Sequence, residues 1–269
     1  MNKRIHLIRC FAIALSLLLA TAGGYAQMGD EEFTPHSGQE GKDVVWVPTP
    51  QELVDAMLDM AKVTSADYVI DLGSGDGRTV ITAAKRGATA LGIEFNPDMV
   101  ALAQRTAKKE GVSAKATFVK ADIFESDFSK ATVITLFLLT DINLKLRPKI
   151  LNMKPGTRIV SNTFDMRDWE PDQTTQISEY SSWRTAHLWI VPAKVDGIWK
   201  IDGGQIKFTQ EFQNITGTLT AGNDVKEFTG KLNGDKIRFN AGGTEYTGTV
   251  SGNTITGMRA GGGSWKATR

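Results

Sequence analysis

Two hydrophobic periods divide this chain. Between residues 44 and 193, short apolar runs alternate with longer stretches in which apolar residues recur every three or four positions. Beyond residue 193 the helical period stops and short runs alternate apolar with polar. The first regime predicts strands alternating with helices, which is the signature of a doubly wound α/β sheet. Seven strands are expected, over residues 69–72, 89–93, 116–121, 132–139, 157–163, 176–181 and 184–191, the last two as an antiparallel pair. Helices fall between them. Thr49-Pro50-Gln51-Glu52 has the form of a capping box, with proline at the first helical position. The helix it opens places Leu53, Met57, Met60 and Ala61 on one face. Asn96 caps a helix begun by Pro97, and Asp141 caps one that Pro148 must kink or restart. In the second regime, residues 206–208, 236–239 and 254–256 alternate between Asn-Gly, Gly-Gly and Ser-Gly-Asn turns. This predicts a small all-β domain of hairpins, closed as a barrel or stacked as a sandwich.

The densest local signal lies at residues 68–94, YVIDLGSGDGRTVITAAKRGATALGIE. An apolar strand leads into the turn Gly73-Ser74-Gly75-Asp76-Gly77, a helix closed by Gly87 follows, and a second strand ends on Glu94. A β-turn-α-β unit with a carboxylate at its second strand tip binds nucleosides. A dinucleotide fingerprint reserves a small residue where Arg78 stands, and a P-loop needs Gly-Lys-Ser/Thr after the turn. Neither pattern is met. Asp71, aimed at the turn, would repel a pyrophosphate but suits a ligand carrying an ammonium group. S-adenosylmethionine has an amino acid end, a sulfonium cation and no phosphate.

The motifs D-L-G-S-G-D-G-R, G-I-E-F-N-P and K-A-D-I-F resemble those of class I, seven-stranded S-adenosylmethionine-dependent methyltransferases. Trp46-Val47-Pro48-Thr49-Pro50 and the segment from Phe164 through Trp169 to Pro171 narrow the resemblance. They are similar to motifs of the small lysine methyltransferases related to the ATP synthase c-subunit enzymes, with Trp46 where tyrosine is expected. The likeness runs from about Val44 to Pro192. It implies S-adenosylmethionine as cofactor and a protein lysine as methyl acceptor. A small-molecule amine or hydroxyl is the alternative acceptor, because no residue reads the acceptor's identity.

Roles can then be placed on residues. Asp71 would hold the methionine ammonium, while Gly73 and Gly75 bring bare backbone close to the methionine and ribose, with Ser74 between them in the same cofactor-binding turn. Glu94 would accept from the ribose hydroxyls. Asp122, after the third strand, would accept from the adenine amino group, or else cap the turn that follows it. Phe95 and Ile123 would sandwich the ring. Trp46 and Pro48 would floor the channel for methyl transfer, or only anchor the helix behind them. Asp141 and Asn143, past the fourth strand, are the candidates to face the acceptor, with a plain helix cap the alternative for Asp141, and no side-chain base is assigned.

The rest of the composition narrows the picture. Lys3, Arg4 and Arg9 precede an apolar segment over 10–20, and Gly24-Tyr25-Ala26 offers small residues before Gln27. This reads as a signal peptide over 1–26 and predicts an exported protein; a membrane anchor left uncleaved is the alternative. Cleavage would remove Cys10, the single cysteine. Residues 27–43 are polar and aperiodic and read as a flexible leader, ahead of a methyltransferase domain over 44–193 and a β-rich domain over 194–269. With a net charge of +1, neither nucleic acid nor a polybasic membrane contact is indicated. His36 and His187, the mature chain's two histidines, stand far apart, so no metal site is expected. A second functional class stays open: an exported binding protein that keeps the fold without turnover.

Overall fold

The computed structural model describes residues 33–178 and 182–269. The expected signal peptide, leader residues 27–32 and the end of the expected sixth strand lie outside them. Four helices and fifteen strands follow in order among the described residues. They are α1 (Gln51–Met60), β1 (Tyr68–Leu72), α2 (Arg78–Lys85), β2 (Thr89–Glu94), α3 (Pro97–Lys109), β3 (Ala116–Lys120), β4 (Val133–Leu136), α4 (Thr140–Ile150), β5 (Arg158–Asn162), β6 (Gln173–Gln176) and β7 (Thr185–Ile190). The strands β1 to β7 form one sheet in the order β3-β2-β1-β4-β5-β7-β6. β1 to β5 run parallel, and β7 lies antiparallel to both neighbours. The order reverses between β1 and β4, which opens a ligand crevice beyond their carboxyl ends.

Alternation along each strand feeds two buried clusters. Val69 joins Leu53, Met57, Val80 and Ala103 from α1, α2 and α3. Ile70 and Leu72 join Ile142 and Leu146 of α4, together with Trp169 and Trp189. Four local expectations change, the first being the sixth strand, which runs Gln173–Gln176, ahead of the expected 176–181. Thr49 makes no cap bond to α1; its hydroxyl instead accepts from Asn162 Nδ2 at 3.2 Å. Asp141 does not cap α4, because the helix already begins at Thr140 and Asp141 falls inside its first turn. The fourth strand stops at Leu136, and Phe137 to Leu139 leave the sheet to line the crevice.

The second regime resolves as a closed barrel. β8 (Gly197–Ile201), β9 (Gly204–Glu211), β10 (Asn214–Ala221), β11 (Asp224–Asn233), β12 (Lys236–Ala241), β13 (Thr244–Ser251), β14 (Thr254–Arg259) and β15 (Ser264–Thr268) pair in sequence, and β15 closes onto β8. Closure leaves no free edge. Inside, Trp199, Phe208, Phe228 and Phe239 fill the lumen. The Arg269 guanidinium sits 4.6 Å over Trp199 and donates to the carbonyls of Lys194 and Asp196. Barrel and sheet belong to one compact unit, Pro35–Arg269. Ala193 N donates to Gly234 O in the β11–β12 turn. A side chain on Gly234 would meet Gly156 Cα at 2.9 Å, so two bare backbones touch there.

Candidate functional site

The glycine turn after β1 is held over the sheet by its own backbone. Gly73 N and Ser74 N both donate to Ile93 O, at 2.9 and 3.1 Å, which ties the turn to β2. Gly73, Gly75 and Gly77 all take positive φ. At Gly75 a Cβ would lie 2.4 Å from the Trp46 indole nitrogen, so the bare backbone is what lets that ring cross the turn. At Gly77 a Cβ would meet Ala103 and Phe118 at 2.7 Å, which makes this the close approach of turn to α3 and β3.

Beneath the turn lies Asp71, 7 % exposed, taking a 2.6 Å hydrogen bond from the Thr135 hydroxyl. Thr135 is its register partner on β4 and is itself fully buried. Among the described residues no cation meets Asp71. Burial pushes its carboxyl up to about 7 against the Thr135 bond, and the negative charges of Glu94 and Asp76 push the same way. A buried acid without a counter-charge is a receptor for a cation. Glu94 accepts from Gly75 N and Asn96 N, both at 2.9 Å, so it braces the turn from the tip of β2. Arg78 pairs with Asp76 and donates to Thr49 O at 2.8 Å, binding the turn to the segment before α1.

At the other end, Asp122 follows β3. Its Oδ1 accepts from Phe124 N at 2.8 Å, and its Oδ2 pairs with the Lys42 ammonium. The Lys42 bond and then the Phe124 N–H hold this carboxyl below its ordinary range. Lys42 also lies 5.0 Å over the Phe95 ring and 5.9 Å over Phe124. Ile123 lines the same space. The segment expected to be a flexible leader is thus partly a strap. Gly38 N donates to Trp46 O and Trp46 N to Gln39 O, and residues 39–49 wall the cleft. The cleft encloses about 1340 Å³ of empty space including its mouth.

The structure therefore gathers Asp71, Gly73, Ser74, Gly75, Glu94, Phe95, Asp122, Ile123, Trp46 and Pro48 around one cleft. It does not bring Asp141 and Asn143 there. Asp141 is exposed, while Asn143 is buried and donates to the carbonyls of Phe164 and Asp165 at 3.2 and 3.3 Å. The cleft is lined there instead by the apolar side chains of Phe137, Leu138, Leu139, Ile142, Phe164 and Trp183. The rings of Phe137, Phe164 and Trp183 touch one another at centroid distances of 5.3 to 6.0 Å. Thr135 carried a sequence signal, as a polar residue inside an apolar run; Lys42 and Trp183 carried none.

Residues 71–173 match the family model of the ANTKMT methyltransferase domain. A protein-lysine N-methyltransferase of Saccharolobus islandicus is 43% identical over 151 residues, which cover 55% of this chain and 94% of that protein. The human lysine N-methyltransferase of the ATP synthase c-subunit is 33% identical over 131 residues, 48% of this chain, and the match spans only 56% of the human protein. Among solved structures, an RNA methyltransferase from Salinibacter ruber in complex with S-adenosyl-L-homocysteine superposes with a TM-score of 0.53 at 45% identity, over 55% of this chain and 96% of that one. The fit to the cofactor is chemical as well: a buried acid that meets no cation among the described residues, a glycine cradle and a strand-tip carboxylate share one cleft. On these grounds the chain belongs to the S-adenosylmethionine-dependent methyltransferases of the ANTKMT and protein-lysine N-methyltransferase family.

Proposed function

We propose that this protein methylates the ε-amine of a lysine on a protein, with Asp71 receiving the cofactor's ammonium, Glu94 its ribose and Asp122 its adenine. The observation that carries the acceptor is the apolar wall beside the glycine turn, where Phe137, Leu138, Leu139, Ile142, Phe164 and Trp183 supply no charge. A lysine ammonium in water titrates at about 10.4 and must lose its proton before it can attack. Desolvation against such a wall disfavours the charged form and frees the lone pair without a dedicated base. Aromatic faces tolerate the cation that remains on the product. S-adenosylmethionine supplies an electrophilic methyl on sulfur and leaves as a neutral thioether. The chain's own contribution is alignment: the turn fixes one reactant and the wall the other, which accounts for a large share of the rate enhancement.

An RNA acceptor, the substrate named for the Salinibacter relative, would call for cationic groups along the acceptor path. Lys42 and Arg78 line the cleft at its cofactor side and are paired with Asp122 and Asp76. Labelled methyl transfer into separated protein and RNA fractions of an envelope extract, with Asp71→Asn as the blank, tests the reading. Label in protein, recovered as methyl-lysine after hydrolysis, supports it; label confined to RNA overturns it. We also infer export, from the basic, apolar and small-residue order at the N-terminus. Mass spectrometry of the mature protein should find Gln27 first.

A further inference from the structure

Eight consecutive barrel strands need seven connections, and six of them turn on left-handed glycine: Gly203, Gly222, Gly234, Gly242, Gly252 and the run 261–263. That is what tight hairpins demand. The exception joins β9 to β10 through Phe212 and Gln213, and Phe212 holds φ 51, a conformation costly for an aromatic residue. A broken local rule of this kind marks a site where something else is gained.

What is gained is a grip on the methyltransferase half. Phe212 stacks on Trp169, with centroids 5.7 Å apart and planes at 13°. The Arg147 guanidinium of α4 lies 5.3 Å from the same ring. Gln213 Nε2 donates to Glu170 O at 2.9 Å. Arg147 in turn donates to Met166 O and pairs with Asp168. The loop over 164–170 is thus clamped between barrel and α4. It begins with Phe164, whose carbonyl takes hydrogen bonds from Ser161 and Asn143 and whose ring lies in the acceptor-side wall. Thr163 and Arg167, beside and within this loop, also hold positive φ without being glycine. The loop's shape is imposed from outside.

The geometry points to Phe212 as a positioning residue through which the barrel sets the acceptor-side wall: the hairpin turn holds Trp169, the loop follows, and Phe164 is presented to Phe137 and Trp183. The inference rests on the proposed acceptor reading of that wall. The decisive variant is Phe212→Gly, because glycine relieves the left-handed turn while deleting the ring. A turn that served only barrel folding would be unharmed by it.

Three readouts separate the cases, with Phe212→Tyr as the conservative control. Binding of S-adenosyl-L-homocysteine, by calorimetry, should stay within about twofold of wild type. Amide hydrogen exchange in peptides covering 164–170 should rise in Phe212→Gly, while the barrel strands stay protected. Methyl transfer to poly-L-lysine should fall by one to two orders of magnitude in catalytic efficiency, the loss expected of slight misplacement. Tyrosine should restore both. Unchanged exchange in the loop, or unchanged transfer despite faster exchange, overturns the inference. If wild type fails on poly-L-lysine, the acceptor reading is what has failed, and the exchange data still decide whether the turn holds the loop.

Discussion

Asp71 is expected to make the ligand-free protein less stable at neutral pH than in mild acid. Its carboxyl titrates at about 7 in the folded chain against an ordinary 3.8. Between those values the folded state keeps a proton that the unfolded state has lost, so stability falls as pH rises through this window and levels off above about 7. The full displacement corresponds to roughly 4 kcal/mol, of which about 2–3 kcal/mol lies between pH 5 and pH 8. Asp71→Asn removes the titration and leaves Thr135 an acceptor. Urea unfolding of both proteins at pH 5 and pH 8 gives the test. The stability advantage of Asp71→Asn over wild type should grow by about 2–3 kcal/mol from the lower to the higher pH. Any constant contribution of the new amide, and the opposing titrations of Asp67, Asp122 and Asp168, cancel in that difference of differences. The same acid must be ionised to receive an ammonium. Wild-type affinity for S-adenosyl-L-homocysteine should therefore be about tenfold weaker at pH 6 than at pH 8, and Asp71→Asn should bind poorly at both. An advantage that does not change with pH, together with pH-independent binding, would refute the assignment of the raised carboxyl to Asp71.

Three further outcomes are expected. Lys42→Met should bind S-adenosyl-L-homocysteine several times more tightly than wild type and lose the wild type's gain in affinity at high salt, since its ammonium now occupies Asp122 and the Phe95 face; weaker binding by calorimetry would show that Lys42 serves the cofactor instead. Gly75→Ala should weaken cofactor binding by at least about tenfold, because its Cβ would lie 2.4 Å from the Trp46 indole nitrogen at a φ of 52°, and tryptophan fluorescence should report the displaced ring. Trp199→Ala should cost the barrel about 3–5 kcal/mol in chemical unfolding, as the residue is fully buried in the lumen under Arg269; a loss below about 1 kcal/mol would mean the lumen refills.

How legible each part was from sequence follows from how local its determinants are. The unit from β1 to β2 could be read almost residue by residue, because strand, glycine turn, helix and strand-tip acid each obey short-range rules that agree. Asn96 was equally local: its side chain accepts from Asp98 N and Met99 N as a cap should. Thr49 failed the same rule because a residue 113 positions later, Asn162, draws its hydroxyl away. The strap was illegible for a related reason. Nothing periodic in residues 35–46 announces that Gly38 and Gln39 will pair with Trp46, or that Lys42 will find Asp122 eighty residues on. Alternating runs and glycine turns pointed to hairpins closed as a barrel or stacked as a sandwich, but the choice between the two depends on β15 meeting β8 across the whole domain. Phe212 was passed over because an aromatic residue in a hairpin turn has no sequence rule, only a partner.

The contact between Gly234 and Gly156 also bears on how this protein can change. Two residues without side chains meet there, so neither has anything to shorten. A methyl group at Gly234 would lie 2.9 Å from Gly156 Cα, closer than carbon atoms pack, so the two backbones would have to part, and it would sit at a left-handed φ of 59° as well. Neither glycine approaches the cleft, yet a graft of this barrel onto another enzyme that omitted the pair would seat it askew.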